Sequence, residues 1–321
     1  MSALSQLGDR VERSVSLARH TSLRVGGPAR YFVSTEDAAL CAKALGAATH
    51  DGVVVRVIGG GTNVLVADGG FDGLVVKYTA AGFEVVPGAA DAGVLAASAG
   101  AHLGNMARRL SRLGWGGLEW GATVPGTIGG AAVNNAGAFG TCMADSLLDL
   151  ALVTAGGEPR TLSRAELHYE YRSSVLKRGE LGPVVVTSVR CDLRRTDPVT
   201  SYNRILAHQA TRTATQPRQL SAGSIFANPT GDHAGRLIES AGLKGERCGG
   251  AEISGQHANF IVNSGGASAT DVYTLLRHAQ QAVWERFEVW LEPEVQLVGA
   301  WRDEQRVALL APVDRAETAH P

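Results

Sequence analysis

The sequence predicts an α+β protein built from more than one unit, and three observations carry that expectation. A chain of 321 residues exceeds what one hydrophobic core serves comfortably, so two or three domains are expected. Short β-branched runs, such as Val53-Val54-Val55-Arg56-Val57-Ile58, alternate with segments of helical periodicity. The 40 glycines cluster at 59–61, 114–130 and 137–140 without a period, which excludes collagen-like and low-complexity chains and points to backbone wrapped closely around something.

Residues 31–78 read strand, helix, strand, turn, strand. Tyr31-Phe32-Val33 is a short strand, and Glu36 to about Ala48 has helical composition with Asp37 near its start. The run 53–58 is a buried strand that enters Gly59-Gly60-Gly61; Val64-Leu65-Val66 follows, then the turn Asp68-Gly69-Gly70 and the strand Leu74-Val75-Val76. In a second unit, over 79–195, Phe83–Val86 and Val94–Ala97 are strands. His102 to Leu113 is a helix with Leu103, Met106, Leu110 and Leu113 on one face. A glycine-rich irregular segment spans 114–140, followed by strands near 147–154 and 183–193. Composition changes at Asp197-Pro198, with a helical reading for 202–213. A third unit has a helix near 232–241 and strands near 250–263. Its last helix opens on Ser268 and Asp271, a capping box, and lines up Val272, Leu275, Leu276, Ala279, Val283 and Phe287. A strand over 289–298 closes the fold, and residues beyond about 302 read as a loosely held tail.

Charge and cysteine usage narrow the function classes. A formal net charge of −1 leaves no global field for nucleic acid or an anionic membrane, so an anionic substrate must meet local donors. Cys41, Cys142, Cys191 and Cys248 form no C-x-x-C, so no metal site or disulfide framework is expected, and a reduced, cytoplasmic protein fits best. The N-terminus has charges where a signal peptide needs an apolar run. Residues 120–144 are uncharged but carry Pro125, Asn134, Asn135 and six glycines, a poor spanning helix. A small-molecule substrate is expected, with no nucleic acid, no membrane and a monomeric chain.

Two glycine segments carry the chemistry. Ile58-Gly59-Gly60-Gly61-Thr62-Asn63-Val64 ends a strand in three glycines whose φ can alternate in sign, turning successive N–H groups into a nest that suits a pyrophosphate, with Thr62 and Asn63 adding side-chain donors. It is not a G-x-G-x-x-G fingerprint, and it leads into a strand rather than a helix. A tight glycine hairpin turn is the plain structural alternative. The second segment, Gly121 to Gly140, lacks large side chains, so its backbone groups need partners that a large planar ligand with amide-like edges would supply. A long surface loop is the alternative, but irregular stretches of this length are uncommon without a role.

In this order and spacing the two segments resemble the UDP-N-acetylenolpyruvoylglucosamine reductase (MurB) family. So do His20–Ala29, Tyr169-Glu170-Tyr171-Arg172-Ser173-Ser174, Ser221–Pro229, Gly242-Leu243-Lys244-Gly245, His257–Asn263 and Leu291-Glu292-Pro293-Glu294-Val295. The short spacing from Arg172 to Ser224 is that of the family's shorter form, without an inserted substrate loop. The resemblance implies a two-part vanillyl-alcohol-oxidase-like (PCMH-type) FAD-binding domain, residues 1–78 and 79–198. A substrate-binding α+β domain, 199–301, and the tail 302–321 would follow. It implies FAD held non-covalently by Ile58, Gly59, Gly60, Gly61, Thr62, Asn63, Val64, Gly121, Ala122, Thr123, Pro125, Gly126, Gly129, Gly130, Asn134 and Gly137, since the first loop offers no His for a flavin link. NADPH is the implied electron donor and UDP-N-acetylglucosamine enolpyruvate the substrate.

The same resemblance implies three catalytic residues. Arg172 would hold the substrate carboxylate in its planar fork, a donor set of the kind that contributes about 3–4 kcal/mol. Ser224 would give a proton to carbon, although Gly-Ser more often simply closes a turn. Alternation along 289–298 puts Glu294 on a polar face with Trp290, Glu292 and Gln296; if it reaches the substrate carboxylate its pKa should be raised. Tyr171, Asn228, Lys244 and His257 are expected at the substrate, the last two with ordinary structural alternatives. A lysine common in the shorter form is replaced by Thr215; if that lysine helps hold the diphosphate, either Arg212 or Arg218 substitutes or affinity is lower.

Overall fold

The computed structural model describes residues 2–310. They form two compact units interleaved in sequence: 2–15, 29–60 and 73–214 in the first, and 16–28, 61–72 and 215–310 in the second.

The first unit holds two sheets. A four-stranded one runs in the order Glu12–Ser16, Pro28–Thr35, Phe71–Tyr78, Val55–Val57, the last two strands parallel with Val55 opposite Leu74. Helix α1 (Ala38–His50) lies on it. Asp37 caps α1 by accepting from Ala39 N at 2.8 Å, and Leu40, Ala44, Leu45 and Ala48 face the sheet residues Val33, Leu74 and Val76. The larger sheet, six-stranded, is antiparallel in the order Pro159–Ser163, Leu147–Thr154, Val184–Arg195, Ala92–Ser98, Phe83–Pro87, with Trp115–Gly116 pairing the end of Val184–Arg195. Strict alternation along Ala92–Ser98 buries Gly93, Leu95 and Ala97. Helix α2 (Leu103–Arg112) packs Leu103, Met106, Ala107 and Leu110 into the same core.

The segment 114–140, expected to be irregular, is largely structured. It contains a 3-10 turn (Glu119–Thr123), helix α3 (Ile128–Asn134) and a hairpin of Gly137–Ala138 with Thr141–Cys142, after which comes the short helix α4 (Met143–Ser146). Two glycines and a valine inside α3 hide it from propensity; a Thr127 cap and burial of Ile128, Ala131 and Ala132 compensate. Helix α5 (Pro198–Thr215) starts with proline, whose missing N–H costs nothing in a first turn. Although composition changes at Asp197-Pro198, α5 buries Ile205 in the core of the first unit, and the chain leaves that unit only after α5.

In the second unit an antiparallel sheet runs Leu220–Ser221, Ile261–Asn263, Ala251–Ile253, Arg247–Cys248, and Gln296–Val298 pairs in parallel with Val64–Val66. Helices α6 (Ala234–Ser240) and α7 (Ala269–Phe287) cover the sheet. The capping box of α7 is present, Ser268 Oγ accepting from Asp271 N at 3.0 Å, and the Asp68 carboxylate takes the Ala269 and Thr270 amides at 2.7 and 2.9 Å.

Two expectations here are corrected. The strand 289–298 shrinks to Gln296–Val298, because Pro293 has no amide and the preceding segment pairs only through an isolated Phe226–Pro293 bridge. The segment after 302 is not loose as far as it is described: helix α8 (Asp303–Val307) leads to a buried Leu309, whose carbonyl accepts from Gln280 Nε2 and Trp290 Nε1 at 3.2 and 3.1 Å. The rest of the expected tail lies outside the described residues.

Candidate functional site

The first glycine segment begins where Ile58 N bonds Val76 O at 3.0 Å. The next five amides, Gly59 to Asn63, donate to no protein acceptor among the described residues. Only Gly61 is left-handed, with φ of 64°, so the expected alternation of φ sign does not occur. At Gly61 a Cβ would collide with the His20 carbonyl oxygen, so close backbone approach demands the glycine. The Asn63 side-chain Nδ2, one of the expected donors, donates to Glu294 O at 3.2 Å.

The second segment comes to meet the first. A Cβ at Gly59 would lie 2.6 Å from Thr127 Oγ1 and 3.9 Å from Gly130 Cα, and one at Gly129 would lie 2.7 Å from Ala99 Cβ. Gly59 thus packs against the Thr127 side chain and Gly129 against Ala99, with no room for a side chain at either. The first-turn amides of α3 are already used, Ile128 N by Ala101 O and Gly129 N by Ala99 O at 2.9 Å, and Gly130 N by Thr127 Oγ1 at 3.1 Å. Unclaimed donors therefore sit in Gly59–Asn63 rather than on a helix N-terminus. In the second segment Gly121 and Ala122 are buried, Gly126 turns the chain with φ of 99°, and Thr123 O accepts from Arg212 Nη1. Successive amides without an acceptor among the described residues fit an anionic group such as the diphosphate of FAD.

Arg172 sits at the far end of the second segment. Its turn is closed by Glu170 N to Ser173 O at 3.2 Å and Ser173 N to Glu170 O at 3.1 Å, and its backbone is left-handed with φ of 56°. The guanidinium donates to Gly137 O at 2.7 Å and Asn135 O at 3.3 Å, with the exposed Tyr171 ring 5.2 Å away. Tyr169 Oη donates to Ala132 O at 2.8 Å and Ser174 Oγ to Val133 O at 2.6 Å, so the motif is wired to α3. Burial raises the Tyr169 phenol, keeping it a neutral donor. Asn134 Nδ2 folds back on Gly130 O at 2.8 Å. Burial first, and the charge of Arg172 second, lower the Arg212 pKa. Of the two arginines weighed against Thr215, Arg212 is the one that feels the charge of Arg172.

In the second unit Ser224 and Glu294 belong to one backbone frame. Glu294 N bonds Ile225 O at 2.8 Å, and Ala227 N bonds Glu292 O at 2.9 Å. Ser224 follows Gly223, left-handed with φ of 78°. Glu294 is half-buried while Glu292 is exposed, so the two carboxylates do not share the solvated face that a strand would have given them. Asn228 Oδ1 accepts from Ala234 N at 3.1 Å at the start of α6, leaving its Nδ2 outward. Lys244 pairs with Glu239 at 2.7 Å. His257 Nδ1 accepts from Asn259 N at 3.2 Å, so Nε2 carries the proton. Burial, then Lys244, lowers the His257 pKa and keeps the ring neutral. Residue typing alone gave no signal for Asn135, which needs its left-handed cap geometry, with φ of 44°, to expose its carbonyl to Arg172.

No group of three or more His, Cys, Asp or Glu suited to a metal occurs among the described residues, and no described helix is long and apolar enough to cross a membrane. Residues 29–163 match a family described as an FAD binding domain, which includes both glycine segments. Residues 216–298 match the C-terminal domain of UDP-N-acetylenolpyruvoylglucosamine reductase, which includes Ser224 and Glu294. The UDP-N-acetylenolpyruvoylglucosamine reductase of Chloroflexus aggregans is 46% identical over 286 residues, 88% of this chain and 95% of the relative. The chain belongs to the UDP-N-acetylenolpyruvoylglucosamine reductase family. A Synechococcus reductase (strain JA-3-3Ab) is 39% identical over 94% of this chain and 96% of its own length. The crystal structure of the reductase from Thermus caldophilus superposes with a TM-score of 0.74 at 35% identity, covering 90% of this chain and 99% of that one. As a member of this reductase family the chain is an oxidoreductase with an α+β fold and an FAD-binding domain. Arg172 lies outside both matched ranges.

Proposed function

We propose that the chain reduces UDP-N-acetylglucosamine enolpyruvate to UDP-N-acetylmuramate for peptidoglycan precursor synthesis, with NADPH as electron donor, in the cytoplasm. The observation that carries this reading is the full-length similarity to reductases of that name, at 46% identity over 88% of the chain.

When bound, FAD supplies a hydride from its N5 atom to the terminal alkene carbon of the enolpyruvyl group and regains it from NADPH. The Gly59–Asn63 amides, which have no acceptor among the described residues, meet the diphosphate, and the segment Gly121 to Gly140, poor in large side chains, admits the ring system. Arg172 receives the substrate carboxylate, into which charge spreads as the hydride arrives. Its fork is oriented beforehand by Asn135 O and Gly137 O, so little reorganisation is needed when charge develops. The Ser224 hydroxyl gives its proton to the carbon next to the carboxylate, and Glu294 serves the carboxylate end. Tyr171, with its exposed ring, the outward Nδ2 of Asn228, Lys244 and the Nε2–H of His257 bind the UDP-sugar.

The test is anaerobic. Purified, FAD-loaded protein is given NADPH with and without UDP-N-acetylglucosamine enolpyruvate. Substrate-dependent NADPH loss with UDP-N-acetylmuramate as product is expected. Flavin that NADPH reduces but the enolpyruvyl sugar never reoxidises would overturn the reading in favour of an oxidase.

A further inference from the structure

We propose that Asn259 is a positioning residue that sets Ser224 against Glu294, an inference that rests on the roles given to those two residues above. Asn259 is 3% exposed and far from ordinary for a buried polar residue. Every hydrogen-bonding group it has among those named here is spent on one of two tasks. Its side chain treats Phe226 as a sheet partner would: Oδ1 accepts from Phe226 N at 3.0 Å and Nδ2 donates to Phe226 O at 2.8 Å. Its main-chain oxygen accepts from Ile225 N at 2.9 Å, and its amide holds His257 Nδ1 at 3.2 Å.

The two residues gripped this way immediately follow Ser224, and the grip continues to Glu294. Ile225 O accepts from Glu294 N at 2.8 Å and from Val295 N at 3.3 Å. Asn259 thus holds Phe226 by its side chain and Ile225 by its main chain, next to the Glu294–Ile225 and Ala227–Glu292 bonds that join the Ser224 and Glu294 backbones. No strand does this work, because Ser224 lies beyond the two-residue strand Leu220–Ser221 and Glu294 before Gln296–Val298. The left-handed Gly223 just upstream gives the loop no side chain of its own to resist movement. An asparagine is required rather than merely a polar residue, since one arm must accept and the other donate. Aspartate keeps the first arm and sets a carboxylate oxygen against Phe226 O, two acceptors facing each other.

The experiment separates the two half-reactions of the FAD-loaded protein by stopped flow, in wild type, Asn259→Asp and Asn259→Ser. Flavin reduction by NADPH involves neither Ser224 nor Glu294 and should stay within about twofold in both variants. Reoxidation by UDP-N-acetylglucosamine enolpyruvate should slow by a factor on the order of 10–100, the effect of displacing a reacting group by up to about 1 Å. Amide exchange in a peptide covering 222–228 should speed up in both variants, a readout independent of turnover. Equal slowing of both half-reactions, or unchanged reoxidation, would overturn the proposal. So would loss of the folded flavoprotein in both variants, which would make Asn259 a determinant of the fold. If wild-type reduced flavin is not reoxidised by the enolpyruvyl sugar, the functional reading fails first; if it is and the variants match it, only the positioning role fails.

Discussion

Arg172 shows how one residue joins backbone strain to chemistry. A left-handed backbone is uncommon for a non-glycine residue, and here it aims the guanidinium at Asn135 O and Gly137 O rather than along the turn. Arg172→Lys keeps the charge and the same backbone demand but loses the planar fork, so it isolates the fork's contribution. The kcat of the purified variant should fall by about 10²–10³-fold with flavin content unchanged, as for removal of one preorganised donor; loss of flavin instead would place Arg172 in cofactor retention. Gly59 is the second informative residue. A methyl there meets Thr127 Oγ1, the cap of α3, at 2.6 Å. Gly59→Ala should therefore lower flavin occupancy and cost about 1 kcal/mol through the cap. Gly82→Ala, where a Cβ meets nothing within 4 Å, is the matched control and should change neither. Equal behaviour of the two variants would remove the argument that the glycine segments need contact. Arg172 and the glycines were singled out in the sequence by the motifs around them, and their roles are proposed from those motifs. Asn135 and Asn259 were not, because an asparagine in a loop has no pattern until its partners are known.

At the scale of elements, what could be read was whatever a period or a cap announces. Helix α7 combines a capping box with apolar residues at three- and four-residue spacing, and it forms with its cap at Ser268 as expected. Helix α3 could not be read, since its stability comes from Thr127 and from burial rather than from propensity. The strand expected over 289–298 failed for the opposite reason: alternation was present, but Pro293 removes a ladder donor and the neighbouring backbone partners go to Ile225 and Ala227 instead. The first 3-10 segment, Leu4–Arg10, had no sequence signal at all and is held from outside. Asp51 accepts from Ala3 N and Leu4 N, each at 2.9 Å, and those bonds, Leu4 first, lower its carboxyl from 3.8 to about 2. For a depressed carboxylate the contribution is complete above the unfolded value and disappears as pH falls through the folded one. Attachment of the N-terminal segment should thus be intact at neutral pH, weaken below about 4 and vanish below about 2. Amide exchange of Leu4 followed across that window should show the change, and in Asp51→Asn the same amide should exchange with no added step there. A step that persists in Asp51→Asn would assign it to another group.

For the molecule as a whole, the distribution of unclaimed backbone donors has a thermodynamic consequence. Buried or half-buried amides normally find partners, and the Gly59, Gly61, Thr62 and Asn63 amides, with the exposed Gly60 between them, have no acceptor among the described residues. The protein therefore carries a cost that a ligand removes, and a ligand that binds only the folded state stabilises it by mass action. At about 100 times its dissociation constant FAD should add about 2.7 kcal/mol, which for a chain of this size is roughly 4 °C in the unfolding midpoint. The gain should follow FAD concentration logarithmically. It should coincide with slower exchange at the Gly59–Asn63 amides, because those are the groups that acquire acceptors. The amides of Ile128, Gly129 and Gly130 already have acceptors in Ala101, Ala99 and Thr127, so they should gain protection only as far as global stability rises. A midpoint that rises with FAD while Gly59–Asn63 stay as exchangeable as before would mean that the diphosphate is held elsewhere, and the cofactor assignment of the first glycine segment would have to be given up.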